Sequence, residues 1–232
     1  MAFLIPMLLL QFSTSHYCRK ARLALGYKQI SYQVENLTPG LHSLKLKPLT
    51  GGLTTLPVLL PQIEGQPVAI ADSTQIFHFL ESYCPDPPLI PADLEARSTA
   101  WIIEDWLDES LGIAARFVYY QFRSGEGKSL DPSLMSQLVI QVVKRQYRIN
   151  PASVELAEKR LATGLEALRW RWQDQSYLVG DRLSVADLAA AALLSPLARI
   201  PSYRQNYPWL FDRLIEVHQT CREPLPPGLQ AD

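Results

Sequence analysis

Residues 8–22 combine the residue types from which a site that activates a thiol could be built. The apolar run Leu8–Leu10 is followed by the hydroxyl residues Ser13–Ser15, and a helical pattern then begins near Cys18. A strand that leads into a helix places that helix's N-terminus beside the turn, and a helix N-terminus favours a thiolate or another anion. Ser15 stands three residues before Cys18, the spacing of a redox C-x-x-C motif with serine in place of the first cysteine. The pattern therefore disfavours disulfide exchange and favours activation of a thiol that another molecule supplies.

A second group of polar residues stands beside a proline that enters a predicted strand. Leu56 precedes Pro57, which introduces the apolar run Val58–Leu60. Proline cannot donate a hydrogen bond to a strand ladder, so Pro57 is expected at the first residue of its strand. Asp72 and Ser73 come directly before an apolar helical pattern, which is typical of a helix N-terminus. The sequence thus predicts a second set of polar groups at the start of a helix.

The elements that must position these residues alternate in type from the start of the chain to Cys84. Gly26 is expected to end the first helix, and Glu64-Gly65 is expected to form a hairpin turn. The predicted order is β-α-β-α-β-β-α, an α/β layer. Its strands are predicted at Met7–Phe12, Gln29–Glu35, 57–60 and 67–70, and its helices at Tyr17–Leu25, 41–46 and from Ser73 onward.

A proline-rich segment, residues 85–95, separates this layer from a helical half. Its stiff backbone marks a domain boundary, which divides the chain into domains 1–84 and 96–232. Ser184 and Asp187 have the spacing of a capping box before the fourth apolar segment of the second half. That half is predicted to be all helical, with its apolar segments at Ala96–Phe122, Ser133–Tyr147, Ser153–Trp172, Leu188–Leu197 and Tyr207–Cys221.

Composition argues against several classes of function. The 232 residues carry a net charge of -1, which gives no attractive field for nucleic acid or an anionic membrane, and 47% are hydrophobic. Three cysteines are an odd number and favour free thiols in a reducing cytoplasm, and four histidines show no metal-ligand spacing. The apolar start, Met1–Leu10, lacks a basic segment and a cleavage site. It is predicted to be a strand with a short extension rather than a signal peptide.

Three segments in sequence order resemble the cytosolic glutathione transferase family. Ser13–Leu25 is similar to the strand-to-helix segment of its serine and cysteine types. Leu56–Leu59 followed by Asp72-Ser73 forms the second match, and Leu178–Asp187 is similar to the folding motif of its helical domain. The resemblance covers nearly the whole chain. It implies an N-terminal thioredoxin-like domain followed by an all-helical domain, and a transferase that conjugates the thiolate of reduced glutathione to hydrophobic electrophiles in detoxification or stress.

The resemblance also implies roles for particular residues. Ser15 matches the residue whose hydroxyl donates to the glutathione sulfur. Leu56 matches the residue whose backbone pairs with the cysteinyl part of glutathione, across a cis bond before Pro57. Asp72 and Ser73 match the pair that holds the γ-glutamyl end.

One position departs from the family pattern. Thr55 stands where many members carry a basic residue that helps to bind the glycine carboxylate of glutathione. His42 is the predicted substitute, with Lys45 and Lys47 as alternatives.

The second half contributes the predicted electrophile pocket. Phe117 and Tyr120 lie in an aromatic cluster at the end of the first long helix of that half. Aromatic walls suit apolar ligands, although the same residues suit core or dimer packing. The resemblance further implies that glutathione is a co-substrate with no bound cofactor or metal, and that the chain forms a homodimer. From composition we expect a cytoplasmic protein that binds neither nucleic acid nor membrane.

Two other functions stay open at this stage. Cys18 lies beside Arg19 and Lys20, which would lower its pKa and favour a glutathione-dependent thiol transferase or peroxidase. Its match to the second cysteine of C-x-x-C patterns favours a packed, inert side chain instead. The missing base at Thr55 favours a non-catalytic binding module. Ser13 is the nearest rival to Ser15 as the residue that activates the thiol.

Overall fold

The N-terminal part of the protein contains four strands and three helices in the predicted order β-α-β-α-β-β-α. The computed structural model describes residues 6–230, so the predicted extension before the first strand lies outside the described residues. The elements are β1 (Met7–Gln11), α1 (His16–Tyr27), β2 (Tyr32–Asn36), α2 (His42–Thr50), β3 (Val58–Leu60), β4 (Ile70–Ala71) and α3 (Ser73–Tyr83).

The strands form one mixed sheet in the order β2-β1-β3-β4. Strand β1 runs parallel to β2 and antiparallel to β3, which in turn runs antiparallel to β4. Leu10 and Val58 lie opposite each other and pack with Leu46 of α2, all three fully buried. Because side chains alternate along a strand, Leu9 and the Leu59 opposite it point to the other face. The sheet therefore has a core on both faces, as in the thioredoxin-like fold.

Helix α1 continues past its predicted end at Gly26. Tyr27 is its last residue, and Gln29, with φ of 54°, donates its N–H to the Gly26 carbonyl in the closing turn. Because Gln29 takes part in this turn, the following strand begins at Tyr32 instead of Gln29. Gly26 therefore does not end the helix. Glycine is required there by packing, because a Cβ would lie 2.0 Å from the backbone oxygen of Cys221.

The second half is helical, as predicted. Its buried core includes the whole of one helix, Val185–Leu193, every residue of which is buried. The helices are α4 (Leu94–Trp106), α5 (Gly112–Ser124), α6 (Leu134–Gln146), α7 (Pro151–Trp172), α8 (Val185–Leu193), α9 (Pro201–Asn206) and α10 (Pro208–Thr220), with short 3₁₀ turns at Glu126–Leu130 and Ser195–Arg199.

The long helix predicted over Ala96–Phe122 is interrupted by a π-helical turn at Leu107–Leu111. Apolar residues recur near 3.6 spacing on both sides of this turn, so the periodicity alone does not reveal it. Gly112 follows the turn, where a Cβ would lie 3.0 Å from the Leu107 carbonyl oxygen and 3.2 Å from Cβ of Leu193 in α8. Glycine therefore permits the close approach of α8 at this point.

The predicted capping box at the start of α8 is confirmed. Ser184 donates its N–H to Oδ2 of Asp187 at 2.9 Å and its hydroxyl to the same oxygen at 2.9 Å. Oδ1 of Asp187 accepts from the N–H of Leu178 at 2.8 Å, which ties the preceding loop to the helix. Burial raises the pKa of Asp187 to about 6, and these donors act in the opposite direction.

The chain divides into two compact units, each with its own core. The first comprises residues up to Ile90 together with His218–Glu223, and the second comprises Pro91–Val217 with the residues from Pro224 onward. The end of α10 thus belongs to the first unit, although it lies far beyond Ile90 in the sequence. Among the helices of residues 6–230, none is both long and apolar enough to cross a membrane.

Candidate functional site

Ser15 is the N-cap of α1, directly after the turn that follows β1. Its N–H donates to the Phe12 carbonyl at 3.0 Å, and its Oγ accepts from the N–H of Cys18 at 3.3 Å. The side chain is half-buried. Because a serine hydroxyl can accept and donate at the same time, the capping bond leaves its O–H proton available for another acceptor.

Cys18 and Ser13 differ sharply from Ser15 in exposure. The Cys18 side chain is fully buried, and this burial raises the pKa of its thiol. The hydrogen bond with Ser15 and the charge of Arg22 act in the opposite direction but are smaller effects. Burial therefore outweighs the basic neighbours, which supports the packed, inert Cys18 over a thiol of lowered pKa. Ser13 is exposed in the turn.

The Leu56–Pro57 segment and the start of α3 are brought together by strand pairing. The peptide bond between Leu56 and Pro57 is cis, as the resemblance implies. The Pro57 carbonyl accepts from the N–H of Asp72 at 3.2 Å, and Val58 lies opposite Ala71 in the antiparallel pair of β3 and β4. Two segments that are separated by a hairpin connection in the sequence thus form one edge of the sheet.

Asp72 and Ser73 open helix α3 in an unusual local geometry. Asp72 has φ of 79°, and its Oδ1 accepts from the N–H groups of Thr74 at 2.9 Å and Gln75 at 3.1 Å. A non-glycine residue at positive φ is strained, and such residues cluster at ligand sites. The Ser73 side chain is buried, and its hydroxyl has no hydrogen-bond partner among residues 6–230. A buried orphan hydroxyl at a helix N-terminus is suited to a ligand oxygen.

His42 lies beside the β1–α1 turn. Its ring meets that of Phe12 edge-on, with centroids 4.9 Å apart, and its Nδ1 accepts from the N–H of Gly40 at 3.1 Å. Lys45, one of its rivals for the missing basic position, is held in an ion pair with Glu35 at 2.5 Å. The structure therefore places His42, rather than Lys45, next to the turn that carries Ser15.

Phe117 and Tyr120 are half-buried on α5 in the second unit. The rings of Tyr119 and Tyr120 meet edge-on at 5.5 Å, and burial raises the pKa of Tyr120. The Tyr119 hydroxyl accepts from Nη1 of Arg123 at 2.7 Å and from Nη1 of Arg199 at 3.4 Å.

Sequence reasoning missed these two arginines. Arg123 follows Tyr119 by four residues on one helix, a signal that was available. Arg199 lies much further along the chain, so no local pattern reveals its contact with Tyr119. Within residues 6–230 no group of three histidine, cysteine, aspartate or glutamate side chains could hold a metal ion.

Two family models match the chain, both of the glutathione S-transferase family. The N-terminal domain model matches residues 9–88 and the C-terminal domain model matches residues 133–208, together about two thirds of the chain. The chain belongs to the glutathione S-transferase family. A search of the curated proteins gave no match.

Solved structures of glutathione S-transferases share the fold along nearly their whole length. The enzyme from Rhodospirillum rubrum F11 is 20% identical with a TM-score of 0.72, covering 97% of this chain and 92% of its own. The one from Methylobacterium radiotolerans JCM 2831, in complex with glutathione sulfonate, is 21% identical with a TM-score of 0.70, covering 98% of each chain. The one from Methylobacillus flagellatus KT, with glutathione bound, is 21% identical with a TM-score of 0.67, covering 93% and 97%.

Proposed function

We propose that this protein is a glutathione S-transferase that ionises the thiol of reduced glutathione with Ser15 and conjugates it to hydrophobic electrophiles. The observation that carries the proposal is a pair of helix N-termini in one unit. One is capped by Ser15, and the other bears Asp72 and the orphan hydroxyl of Ser73. Two of the similar structures contain glutathione or glutathione sulfonate, which supports the choice of ligand.

The start of α3 supplies the anchor for the γ-glutamyl end, which carries an ammonium and a carboxylate. The exposed carboxylate of Asp72 is suited to the ammonium, because its two capping bonds both go to Oδ1. The Ser73 hydroxyl and the partial positive charge of the helix N-terminus are suited to the carboxylate. We assign the glycine carboxylate to His42, and the cysteinyl backbone to Leu56 beside Pro57.

The N-terminus of α1 supplies the activation. A free thiol has a pKa of about 8.5, so only a few per cent is thiolate at neutral pH. A hydroxyl donor at the helix N-terminus that lowers this pKa by ~2 units supplies about 2.7 kcal/mol and makes the thiolate the main species. The thiolate sulfur then attacks the electrophilic carbon and the new C–S bond forms. With a chloronitrobenzene the electron pair of the broken C–Cl bond leaves with chloride, whereas with an isothiocyanate the C=N electron pair moves to nitrogen, which takes up a proton.

The second unit supplies the electrophile site in this proposal. Phe117 and Tyr120 offer aromatic surface to an apolar ligand. A role in detoxification or stress follows from this substrate class. The fully buried Cys18 speaks against the alternative of a thiol transferase or peroxidase, since a buried thiol of raised pKa is a poor nucleophile.

A homodimer in a reducing cytoplasm completes the proposal. Three cysteines are free, which suits a reducing compartment. Helix α6 exposes Leu134, Leu138 and Val142 at i, i+4 and i+8 spacing, and Met135 lies beside them, three residues before Leu138. Because a monomer rarely leaves such a stripe in water, we assign this face to a second copy.

Sedimentation equilibrium is expected to give twice the chain mass, and Leu138→Glu is expected to give the monomer.

The proposal is tested by glutathione binding and by conjugation of a chloronitrobenzene or an isothiocyanate. Wild type is expected to bind glutathione in calorimetry and to catalyse conjugation. Ser15→Ala is expected to lower kcat by roughly 30-fold or more, because the ~2.7 kcal/mol of thiolate stabilisation is largely lost.

Ser13→Ala is the matched control, since Ser13 lies two residues away in the same turn but is exposed and caps no helix. It is expected to behave as wild type. A folded wild type that does not bind glutathione would show a non-catalytic module instead. Turnover abolished by Cys18→Ser but not by Ser15→Ala would establish the thiol transferase.

A further inference from the structure

We propose that Glu223 is a positioning residue that holds the β1–α1 turn, and with it Ser15, in place through Arg22 and Gln11. This inference rests on the proposed role of Ser15 in activating glutathione. Glu223 lies outside both matched domain models, which end at residues 88 and 208, so no family domain assigns it a role.

A chain of hydrogen bonds through the Arg22 guanidinium group links four segments of the first unit. Arg22 of α1 donates from Nε to Oε1 of Glu223 at 2.7 Å and from Nη1 to Oε1 of Gln11. Gln11 in turn donates from Nε2 to Oδ1 of Asn36 at 3.0 Å. The C-terminal segment, α1 and the last residues of β1 and β2 are thereby joined in one chain of hydrogen bonds.

These contacts lie on both sides of the turn that carries Ser15. Gln11 is the last residue of β1, four residues before Ser15, and Arg22 lies two helical turns after it on α1. The Gln11 carbonyl also accepts from the N–H of Leu37 at 2.9 Å, which fixes the strand end. A shift of the Arg22 side chain therefore changes the spacing between the end of β1 and the start of α1.

Glu223 balances two buried cations. Its side chain is 6% exposed and that of Arg22 is 10% exposed, and Nη1 of Arg19 lies 3.8 Å from the same carboxylate oxygen. Burial and the charge of Arg22 lower the pKa of Arg19 to about 10, which Glu223 opposes. The phenol of Tyr32 also senses Glu223, whose charge adds to burial in raising the pKa of Tyr32 to about 12. Neutralising Glu223 removes the counter-charge that the two arginines share, so their like charges repel and the guanidinium groups must move.

The backbone of the C-terminal segment is fixed independently of the Glu223 side chain. The Cys221 carbonyl packs where a side chain at Gly26 would stand, and His218–Glu223 forms part of the first unit. Arg19 Nη1 also lies 3.5 Å from Nε2 of His218. Glu223→Gln therefore removes the charge while the segment keeps its anchor on α1.

The test is the thiol pKa of bound glutathione in Glu223→Gln, read from thiolate absorbance over a pH titration. The pKa is expected to rise by about one unit, which lowers the thiolate fraction about fivefold near pH 6.5. The dissociation constant for glutathione is expected to change by at most about threefold, because the α3 anchor is not involved. In a Ser15→Ala background, Glu223→Gln is expected to cause no further rise in the thiol pKa, because Glu223 acts on the thiol only through Ser15.

Glu81→Gln is the matched control, because Glu81 also pairs with a buried cation of this unit, Lys28 at 2.7 Å, but at the far end of α3. An equal rise in Glu81→Gln shows general loosening and overturns the proposal. A fall in the thiol pKa shows a direct field effect of the lost negative charge and also overturns it. An unchanged thiol pKa in Glu223→Gln also overturns the proposal.

A second readout separates this proposal from the proposed function. If wild type does not lower the thiol pKa of glutathione, the role of Ser15 fails. Hydrogen exchange of the Cys18 amide, which donates to Ser15 Oγ, then still tests whether Glu223 holds the β1–α1 turn in place. Faster exchange in Glu223→Gln than in Glu81→Gln supports the proposal, and equal exchange overturns it.

Discussion

Ser15 and Asp72 each cap a helix with a side-chain oxygen and keep a further group for a ligand. Ser15 accepts from the Cys18 amide and still has its proton, while Asp72 uses only Oδ1 for its two capping bonds. Both residues could be singled out from sequence, because N-cap residue types stand next to helical patterns. The sequence could not predict the burial of Cys18 or the orphan hydroxyl of Ser73, since burial depends on which distant elements cover a helix.

Aspartate at position 15 is expected to separate the capping role from the activating one. Aspartate caps as well as serine, whereas alanine costs about 1 kcal/mol. Ser15→Asp is therefore expected to keep the free energy of unfolding of wild type, and Ser15→Ala to lose about that amount. Ser15→Ala is expected to lower kcat by roughly 30-fold or more, and Ser15→Asp to be inactive, because a carboxylate neither donates to a thiolate nor tolerates one nearby. Urea unfolding and conjugation assays measure the two effects, and an active Ser15→Asp would contradict the role of the hydroxyl.

Asp187 is expected to make the stability of the helical unit depend on pH. Burial raises the pKa of Asp187 from 3.8 to about 6, so the folded chain holds this proton more tightly than the unfolded chain. The stabilising contribution is therefore complete below pH 3.8 and is lost as the pH rises to about 6.

Asp187→Asn removes this titration and serves as the reference. Wild type is expected to lose about 3 kcal/mol relative to the asparagine variant between these limits, as two pKa units imply. Urea unfolding of both proteins across that range measures the difference. A difference that stays constant with pH would contradict the raised pKa.

At the scale of elements, the two ends of α3 are held by different means. Asp72 caps the N-terminus, and the buried ammonium of Lys28 closes the C-terminus. Its Nζ donates to the carbonyls of Cys84 at 2.6 Å and Pro87 at 3.0 Å and pairs with Glu81 at 2.7 Å. Lys28 therefore attaches the proline-rich segment to α1. A buried lysine of this kind has no sequence signature, because lysine is normally exposed.

Lys28→Met is expected to destabilise the first unit by about 3 kcal/mol, since it leaves carbonyls and a partly buried carboxylate without their cation. Lys45→Met is the control, because the Lys45–Glu35 pair is exposed at both partners and is worth less than about 1 kcal/mol. Urea unfolding measures both losses, and protease cleavage within 85–90 is expected to accelerate only in Lys28→Met. Equal losses in the two variants would contradict the role of Lys28.

Most elements follow from local patterns, and the exceptions have specific causes. The apolar helical pattern predicted after Ser73 is fully buried at Ile76, Phe77 and Leu80. The π-helical turn at Leu107–Leu111 escapes prediction because it interrupts no apolar pattern. Gly26 looks like a helix end in the sequence, whereas its reason lies in the approach of Cys221, near the other end of the chain.

At the scale of the whole molecule, the two-part architecture is visible in the sequence. The proline-rich segment separates an alternating half from a helical half, and three short motifs in order identify the family. What the sequence does not reveal is that His218–Glu223 joins the first unit. This segment packs on α1 at Gly26 and pairs with it through Arg22–Glu223, and these partners lie near opposite ends of the chain. Non-local pairs of this kind leave no periodic signal.

In the proposed function the first unit binds glutathione and the second unit contributes the electrophile site. All residues assigned to glutathione lie in the first unit, whereas Phe117 and Tyr120 lie in the second. Changes at Phe117 or Tyr120 are therefore expected to alter the range of electrophiles and their KM while the affinity for glutathione stays unchanged. Calorimetry with glutathione and steady-state kinetics with several electrophiles measure this division. A loss of glutathione affinity in Phe117→Ala would contradict it.

The most direct measurement is the thiol pKa of glutathione bound to wild type and to Ser15→Ala, followed by the ultraviolet absorbance of the thiolate as pH is raised. Activation by Ser15 predicts a pKa near 6.5 in wild type, about two units below the free thiol, and a value close to 8.5 in Ser15→Ala. A bound thiol that titrates at the same pH in both proteins would contradict the assignment of Ser15.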